Sequence, residues 1–255
     1  MILSEPIPST LTEEAYRRLR ADLIGGRLGP NVKLRFRELT ARYGIGPSPL
    51  REALARLASE RLVDFEPQRG FFVAPFSLED LNDLCALRIE LCCKALRASI
   101  QRGDDVWEAE ILVATHLMER STRPAASENQ AVFDDWEARH DRFHRSLLAA
   151  CGSPWLLRFC NVLSDQYQRY RRFVVAYKAE SDAMWKQVRM HHKTIAETVL
   201  ARDEDRAVEL LKSHFEGSLG KLVELYNRAG MGTEESEAPR SSRKRVKPVL
   251  GRISR

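Results

Sequence analysis

The 255-residue chain carries six histidines, at positions 116, 140, 144, 191, 192 and 214. Four of them fall into two pairs by spacing. His140 and His144 are four residues apart, which puts both imidazoles on one face of a helix. His192 and His214 each lie 11 residues from Asp203, on opposite sides, so a helical hairpin turning at Arg202-Asp203-Glu204 sets them level. Two level pairs of neutral imidazoles can converge on one divalent ion. Zinc and nickel are the first expectations, with cobalt, copper and iron chemically open. His191 adjoins His192 and points about 100° away around the helix, and His116 has no companion at helical spacing. Both are read as surface or packing residues rather than ligands.

These histidines need helices to hold them, and the pattern supplies helices. From Leu78 to about Arg228 nothing alternates as a strand does, and apolar residues recur at helical spacing over 78–102, 105–121, 128–151, 154–178, 182–201 and 204–228. The connections are short, so the segment predicts an all-helical bundle of about six helices. The N-terminal part reads differently. Leu11, Ala15, Leu19 and Leu23 make a helical stripe stopped by Gly25-Gly26. Short helices follow over 35–43 and 47–60, with Pro47 and Pro49 in a first turn that tolerates them. Leu62–Glu66 and Phe71–Ala74 alternate around Pro67-Gln68-Arg69-Gly70, which predicts a β-hairpin. The expected organisation is a loose arm over 1–10, a first domain over 11–75, a linker over 76–78, a helical domain over 79–229 and a disordered basic tail over 230–255. The fold class is mainly α.

The net charge of +5 is unevenly spread. Residues 1–75 hold twelve Lys/Arg against nine Asp/Glu, residues 76–239 hold 22 against 27, and residues 240–255 hold seven against none. A mildly basic first domain and a very basic tail thus flank an acidic middle. No apolar run approaches the roughly 18 residues of a membrane span, so no membrane partner is expected. Met1-Ile2-Leu3-Ser4-Glu5-Pro6 lacks a basic, then apolar, leader pattern. The five cysteines are odd in number and form no CxxC, which argues against a disulfide framework and fits a reducing cytoplasm.

Three helices and a small hairpin in about 65 residues follow the order of a winged helix-turn-helix, whose second paired helix enters the DNA major groove. Leu34-Arg35-Phe36-Arg37-Glu38-Leu39, Ser48-Pro49-Leu50-Arg51-Glu52-Ala53-Leu54 and Glu60-Arg61-Leu62-Val63 through Gln68-Arg69-Gly70-Phe71-Phe72-Val73 resemble the GntR family of bacterial transcription factors. The resemblance implies DNA contacts from Arg37, from Gly46, Pro47 and Ser48 at the turn, from Arg51 on the recognition helix, and from Arg69 and Gly70 at the wing tip. Pro47 stands where the family commonly has an arginine. Base readout is therefore expected to rest on Arg37, Arg51 and Arg69, at an operator unlike the usual half-site.

His140-Asp141-Arg142-Phe143-His144, Cys151-Gly152-Ser153-Pro154-Trp155, and His192 through Arg202-Asp203 to His214 are similar to the FCD effector domain of the FadR-type branch. Metal-binding members use one aspartate and three histidines. The histidines fall on His144, His192 and His214, and the aspartate falls on His140. Arg88, Tyr167 and Arg171 lie in segments that line the ligand pocket in similar domains, and a carboxylate is expected to meet the metal and Arg88. Gly46 to Glu52 together with Cys151 to Trp155 also resembles the CsiR-type branch, which implies a short dicarboxylate such as glutarate. The expectation is a cytoplasmic homodimer on a palindromic operator, a repressor released when the effector binds.

A rival chemistry is spelled by His140-Asp141-x-x-His144, which approximates the His-Glu-x-x-His helix of zinc peptidases and would make the chain a metal-dependent hydrolase. Three points oppose it. A catalytic zinc keeps an open position, which four histidines would fill; Asp reaches less far than Glu; and no strand is at hand to align a peptide.

Overall fold

Helix α1 (Leu11–Ile24) begins where the Thr10 hydroxyl accepts the Glu13 N–H at 3.1 Å, and it buries Ala15, Leu19 and Leu23 along one stripe. A computed structural model describes the chain over residues 10–121, 130–175 and 182–228. The expected arm and tail lie outside those residues, apart from Thr10. Helix α2 (Phe36–Tyr43) ends at Gly44, whose φ of +69° is left-handed. Gly46 opens helix α3 (Pro47–Ser59), which turns Leu50, Ala53, Leu54 and Leu57 inward. Strands β1 (Val63–Glu66) and β2 (Gly70–Val73) pair antiparallel, Val63 opposite Val73. These elements close one core around Leu19, Leu50, Leu54, Leu57 and Val73. Removing a fully buried Leu54 side chain would cost about 2–5 kcal/mol.

The wing has an edge that alternation did not reveal. The link between α1 and α2 runs beside β2: Leu34 donates to the Phe71 carbonyl at 2.8 Å, and Val73 donates to the Val32 carbonyl at 2.9 Å. Lys33 and Phe72 form an isolated bridge. Three residues of pairing are too short for a period to declare itself.

Helices α4 (Leu78–Arg102), α5 (Asp105–Glu119), α6 (Gln130–Leu148), α7 (Pro154–Val175), α8 (Asp182–Leu200) and α9 (Glu204–Arg228) form the second domain. Several ends fall one to three residues short of the periodic segments, because polar turns close them. Ala149–Cys151 leave α6 for Gly152, at φ +72°. Residues 128 and 129, and 176–178, lie outside the described residues. Ser77 caps α4, accepting the Asp80 N–H at 2.9 Å. Phe76, in the expected linker, stacks on Tyr170 at 4.5 Å. The bundle has two apolar clusters, one around Phe143, Leu147, Ile195, Val199, Leu211 and Phe215, the other around Leu81, Tyr167, Tyr170 and Leu222. Among the described residues no helix is long and apolar enough to cross a membrane.

Candidate functional site

The hairpin between α8 and α9 is built by its turn. Arg202 takes a left-handed φ of +58°, and the Asp203 carboxylate accepts the Arg206 N–H at 3.2 Å to start α9. The antiparallel pair that results brings the His192 and His214 rings to 4.5 Å. Helix α6 brings His140 and His144 to the same point, with Nε2 atoms 3.2 Å apart. The Nε2 atoms of His144 and His192 are 3.3 Å apart. One ligand atom from each of the four histidines lies within 4.8 Å of every other.

The chemistry of this donor set suits a divalent metal ion. Zn–N bonds near 2.0–2.1 Å set tetrahedral nitrogens about 3.3 Å apart, which is the spacing observed between the Nε2 atoms of His144 and His192. The His192 Nδ1 donates to the Val188 carbonyl at 2.8 Å, so its Nε2 offers a lone pair. His144 Nδ1 is buried and without a hydrogen-bond partner. Burial, and then the neighbouring charges, hold His140, His144 and His214 well below the usual histidine range, and burial pulls His192 down to about 4. Neutral imidazole is the metal-ligating form.

A cavity of about 520 Å³ opens above the cluster, and His140, His192 and His214 are part of its floor. Helix α9 contributes His214, Gly217, Ser218, Lys221, Leu222 and Leu225, a stripe at helical spacing. A Cβ on Gly217 would meet nothing within 4 Å, so glycine here keeps cavity space open. Arg171 and Tyr167 also line it. Arg171 donates to His140 Nδ1 at 3.1 Å and pairs with the fully buried Glu137. Burial raises the Glu137 carboxyl even with Arg171 and Arg172 beside it.

Two residues take positions that spacing does not give. Arg88 lines not this cavity but a smaller one that it shares with His140, His144, Tyr167, Arg171 and His214. It is buried on the other side of His140 and His144, where its guanidinium lies 3.8 Å over Phe215 and 4.6 Å over Tyr167. Helix α4, which carries Arg88, packs against α7 and α9. His191, read as facing elsewhere, lines the cavity with its ring 5.3 Å from that of His214. Adjacent residues on α8 diverge, yet α9 is close enough to meet both. Glu137, Trp136 and Lys221 were not singled out from the sequence. Their signal was position: Glu137 is one turn before His140, and Lys221 is two turns after His214.

At the other end of the molecule, Arg37, Gly46, Pro47, Ser48, Arg51 and Arg69 are all exposed. Gly46 caps α3 with no side-chain hydrogen bond, so the first N–H groups face outward. Arg51 lies 4.9 Å over the Phe36 ring. Arg69 pairs with Glu66 across the wing tip, and Gly70 takes φ +96° there.

A winged helix-turn-helix carried on a helical domain with a cavity above a histidine cluster defines a class, that of DNA-binding transcription regulators. Known proteins agree. Residues 11–73 match the family of bacterial regulatory proteins of gntR type, and residues 83–217 match the FCD domain. The chain is 39% identical over 201 residues to the HTH-type transcriptional repressor GlaR of Escherichia coli, covering 79% of this chain and 90% of that protein. It is 36% identical over 220 residues to the uncharacterized HTH-type transcriptional regulator BphR of Paraburkholderia xenovorans, covering 85% and 88%. The solved structure of E. coli McbR/YncC shares the fold, with a TM-score of 0.69 at 19% identity over 86% of this chain and 100% of that one. The chain belongs to the GntR family of transcriptional regulators, in the branch that carries an FCD domain. It is a regulator, not a peptidase. Asp141, the residue a peptidase would use as base, is tied to Arg145 at 2.6 Å.

Proposed function

We propose that the chain is a repressor whose operator binding is relieved by a small carboxylate that enters the cavity above a histidine-held divalent metal. The observation that carries this reading is the convergence of four histidines at the floor of a cavity that also holds Arg171. When bound, zinc or nickel supplies the positive charge that draws a carboxylate. The chain's own part is to hold neutral imidazoles together, to offer Arg171 and the Tyr167 hydroxyl from α7, and to keep water out with Trp136 and Leu222. Arg88 supports from behind, through the ring of Tyr167. A short dicarboxylate such as glutarate suits a cavity that also carries Lys221. The name of the relative GlaR, a repressor, supports the sign of regulation.

On DNA, Arg37, Arg51 and Arg69 would read bases or phosphates, and the N–H groups after Gly46, together with Ser48, would meet a phosphate. Pro47 presets the first turn of the recognition helix, and Gly70 shapes the wing tip. A homodimer on a palindromic operator follows from matching a twofold protein to a twofold site.

The test is an anisotropy titration of an operator enriched from random DNA by the purified protein. Arg51→Ala is expected to weaken binding about 5- to 150-fold, the range for one lost bidentate contact of 1–3 kcal/mol, with metal content unchanged. Glutarate added to the zinc-loaded protein is expected to release the operator. Unchanged affinity for Arg51→Ala would remove the recognition-helix assignment.

A further inference from the structure

We infer that His140 does not ligate the metal but points an N–H at the position beside it, leaving His144, His192 and His214 to hold the ion and one coordination position for an oxyanion. The inference rests on the reading above that the cluster holds a divalent metal, and it assigns the four histidines two different jobs.

The argument is a count of protons. A guanidinium has donors and no acceptor. Arg171 Nη1 lies 3.1 Å from His140 Nδ1, so that nitrogen accepts with its lone pair. The neutral His140 ring must then carry its proton on Nε2, the atom that faces the cluster. Arg171 is held in place by its ion pair with Glu137 and by the Trp136 ring 5.2 Å below its guanidinium. Trp136 also stacks on His140 itself, with ring centres 4.8 Å apart and planes 21° from parallel. The orientation of His140 is therefore fixed from two sides.

His192 is fixed the opposite way. A carbonyl only accepts, so the 2.8 Å contact to Val188 places the His192 proton on Nδ1 and leaves Nε2 bare. His144 stands between these two neighbours, its Nε2 3.2 Å from that of His140 and 3.3 Å from that of His192. A proton on His144 Nε2 would satisfy His192 but would meet the N–H of His140 head-on. A bare His144 Nε2 would accept from His140 but would set two lone pairs against each other across 3.3 Å. No arrangement of neutral rings satisfies both contacts. A cation between His144 and His192 removes the conflict on that side. It takes up both lone pairs, so neither of those two rings can accept from the His140 N–H.

The third ligand follows from ring positions. The His214 ring is 4.5 Å from His192 and 5.0 Å from His144, but 6.4 Å from His140. His214 is thus within reach of an ion held between His144 and His192; His140 is as near those two rings, at 4.5 and 5.0 Å, and is set apart by its proton on Nε2 rather than by distance. The His140 N–H, backed by Arg171, is left to meet an oxygen that accepts: a carboxylate or a similar oxyanion entering from the cavity. On this reading His140 is a ligand-selecting donor.

The test uses the full-length protein loaded with cobalt(II), read by visible absorption and by metal content after desalting. His140→Phe keeps the ring on Trp136 and removes both nitrogens. It is expected to retain one cobalt per chain at near-unaltered affinity, whereas His144→Phe, His192→Phe and His214→Phe are each expected to weaken cobalt binding a hundredfold or more. Acetate is expected to shift the cobalt absorption of the unaltered protein, and His140→Phe to need about tenfold more acetate for the same shift, the loss of one charge-assisted hydrogen bond. Cobalt loss in His140→Phe as severe as in the other three overturns the inference. A measurement that needs no variant guards against a folding defect. Nitrogen-15 histidine spectra of the zinc-loaded protein should show His140 protonated on Nε2 and the other three metal-bound, and a metal-bound His140 overturns the assignment. If the unaltered protein takes up no cobalt, the metal reading itself falls, and the inference with it. If it takes up cobalt but ignores acetate, the metal reading stands and only the oxyanion position is lost.

Discussion

Asp22 shows how much one side chain can carry without announcing itself. On α1 it lies among the buried apolar positions beside Leu19 and Leu23, and in sequence it looks like any solvated carboxylate. In the fold it is buried, accepting the Tyr43 hydroxyl at 2.7 Å, Arg27 Nε at 2.6 Å and Arg42 Nη2 at 2.7 Å. It therefore ties α1 to the end of α2, one turn before the recognition helix. Burial alone would raise the Asp22 carboxyl, but the hydroxyl and the two guanidiniums outweigh it and hold it below its ordinary value of 3.8. The sign of the stability effect follows. A carboxyl that ionises more readily in the folded state stabilises the fold at pH values above its unfolded pKa, and that contribution is lost as pH falls through the lower folded value. Asp22→Asn is expected to cost about 1–3 kcal/mol at pH 7. The gap between variant and unaltered protein should close as urea melts are repeated from the ordinary carboxyl value of 3.8 downward, through the lower folded value. A gap that is constant from pH 7 down to acid would show that packing, not the charge, is what the side chain supplies. Exposed arginines such as Arg37 and Arg51 are the opposite case. Their residue types and spacing are legible within the segment that carries them, whereas two partners of Asp22, Tyr43 and Arg42, come from another helix and leave no local pattern.

At the scale of elements, the helices were legible and their contacts were not. Apolar stripes locate α4 to α9 to within a turn, and the symmetric spacing about Asp203 placed His192 beside His214. The same stripes cannot say which helix turns which face to which neighbour, so they do not show that His191 faces the cavity or that Arg88 faces the smaller pocket behind the histidines. Arg145 is another example. Four residues after Asp141, it reads as a surface i,i+4 pair, and that pair exists at 2.6 Å. Its second partner, Asp165 on α7, is 3.0 Å away and lies 20 residues on. Asp165 also pairs with Arg20 on α1, and Arg20 reaches Glu60 at the end of α3 at 3.1 Å. Gln166 donates to the Glu60 carbonyl at 2.7 Å. Helix α7 thus holds the histidine-bearing α6 on one side and the DNA-binding domain on the other through adjacent residues. Asp165→Asn removes the charge and keeps the shape. It is expected to lower stability by about 2 kcal/mol, since a hydrogen-bonded charge is lost but both arginines keep water or a second partner. Hydrogen exchange over residues 47–60 should quicken while cobalt stoichiometry stays at the unaltered value. Unchanged exchange in that segment would mean the two domains dock without this clamp.

For the whole molecule, the uneven charge was the earliest clue, and the fold gives it two of its three meanings. The positive surface of residues 11–75 works through the position of a few arginines rather than through its total. The excess of acid over base in residues 76–239 keeps the sensing domain from competing for phosphate, which concentrates DNA affinity at the other end of the chain. The third block, residues 240–255, lies outside the described residues, and only its charge enters the argument: seven Lys/Arg and no Asp/Glu. Cations of this density bind DNA by releasing condensed counterions, a term that is independent of base sequence and falls with log salt by about 0.9 for each phosphate neutralised. Truncation after Arg228 should therefore act differently from Arg51→Ala. Affinity is expected to drop for operator and for unrelated DNA by the same factor, so that the ratio between them is preserved. The slope of log affinity against log salt should become shallower by up to about six, the limit if all seven charges engage. The arginine variant should instead lower the operator-to-unrelated ratio and leave the slope nearly unchanged, because a lost base contact releases few ions. Paired titrations from 50 to 200 mM salt, on the order of the range in which such slopes are resolved, separate the two. A truncated chain that lost its operator preference would place base readout partly in the tail and take it away from the recognition helix.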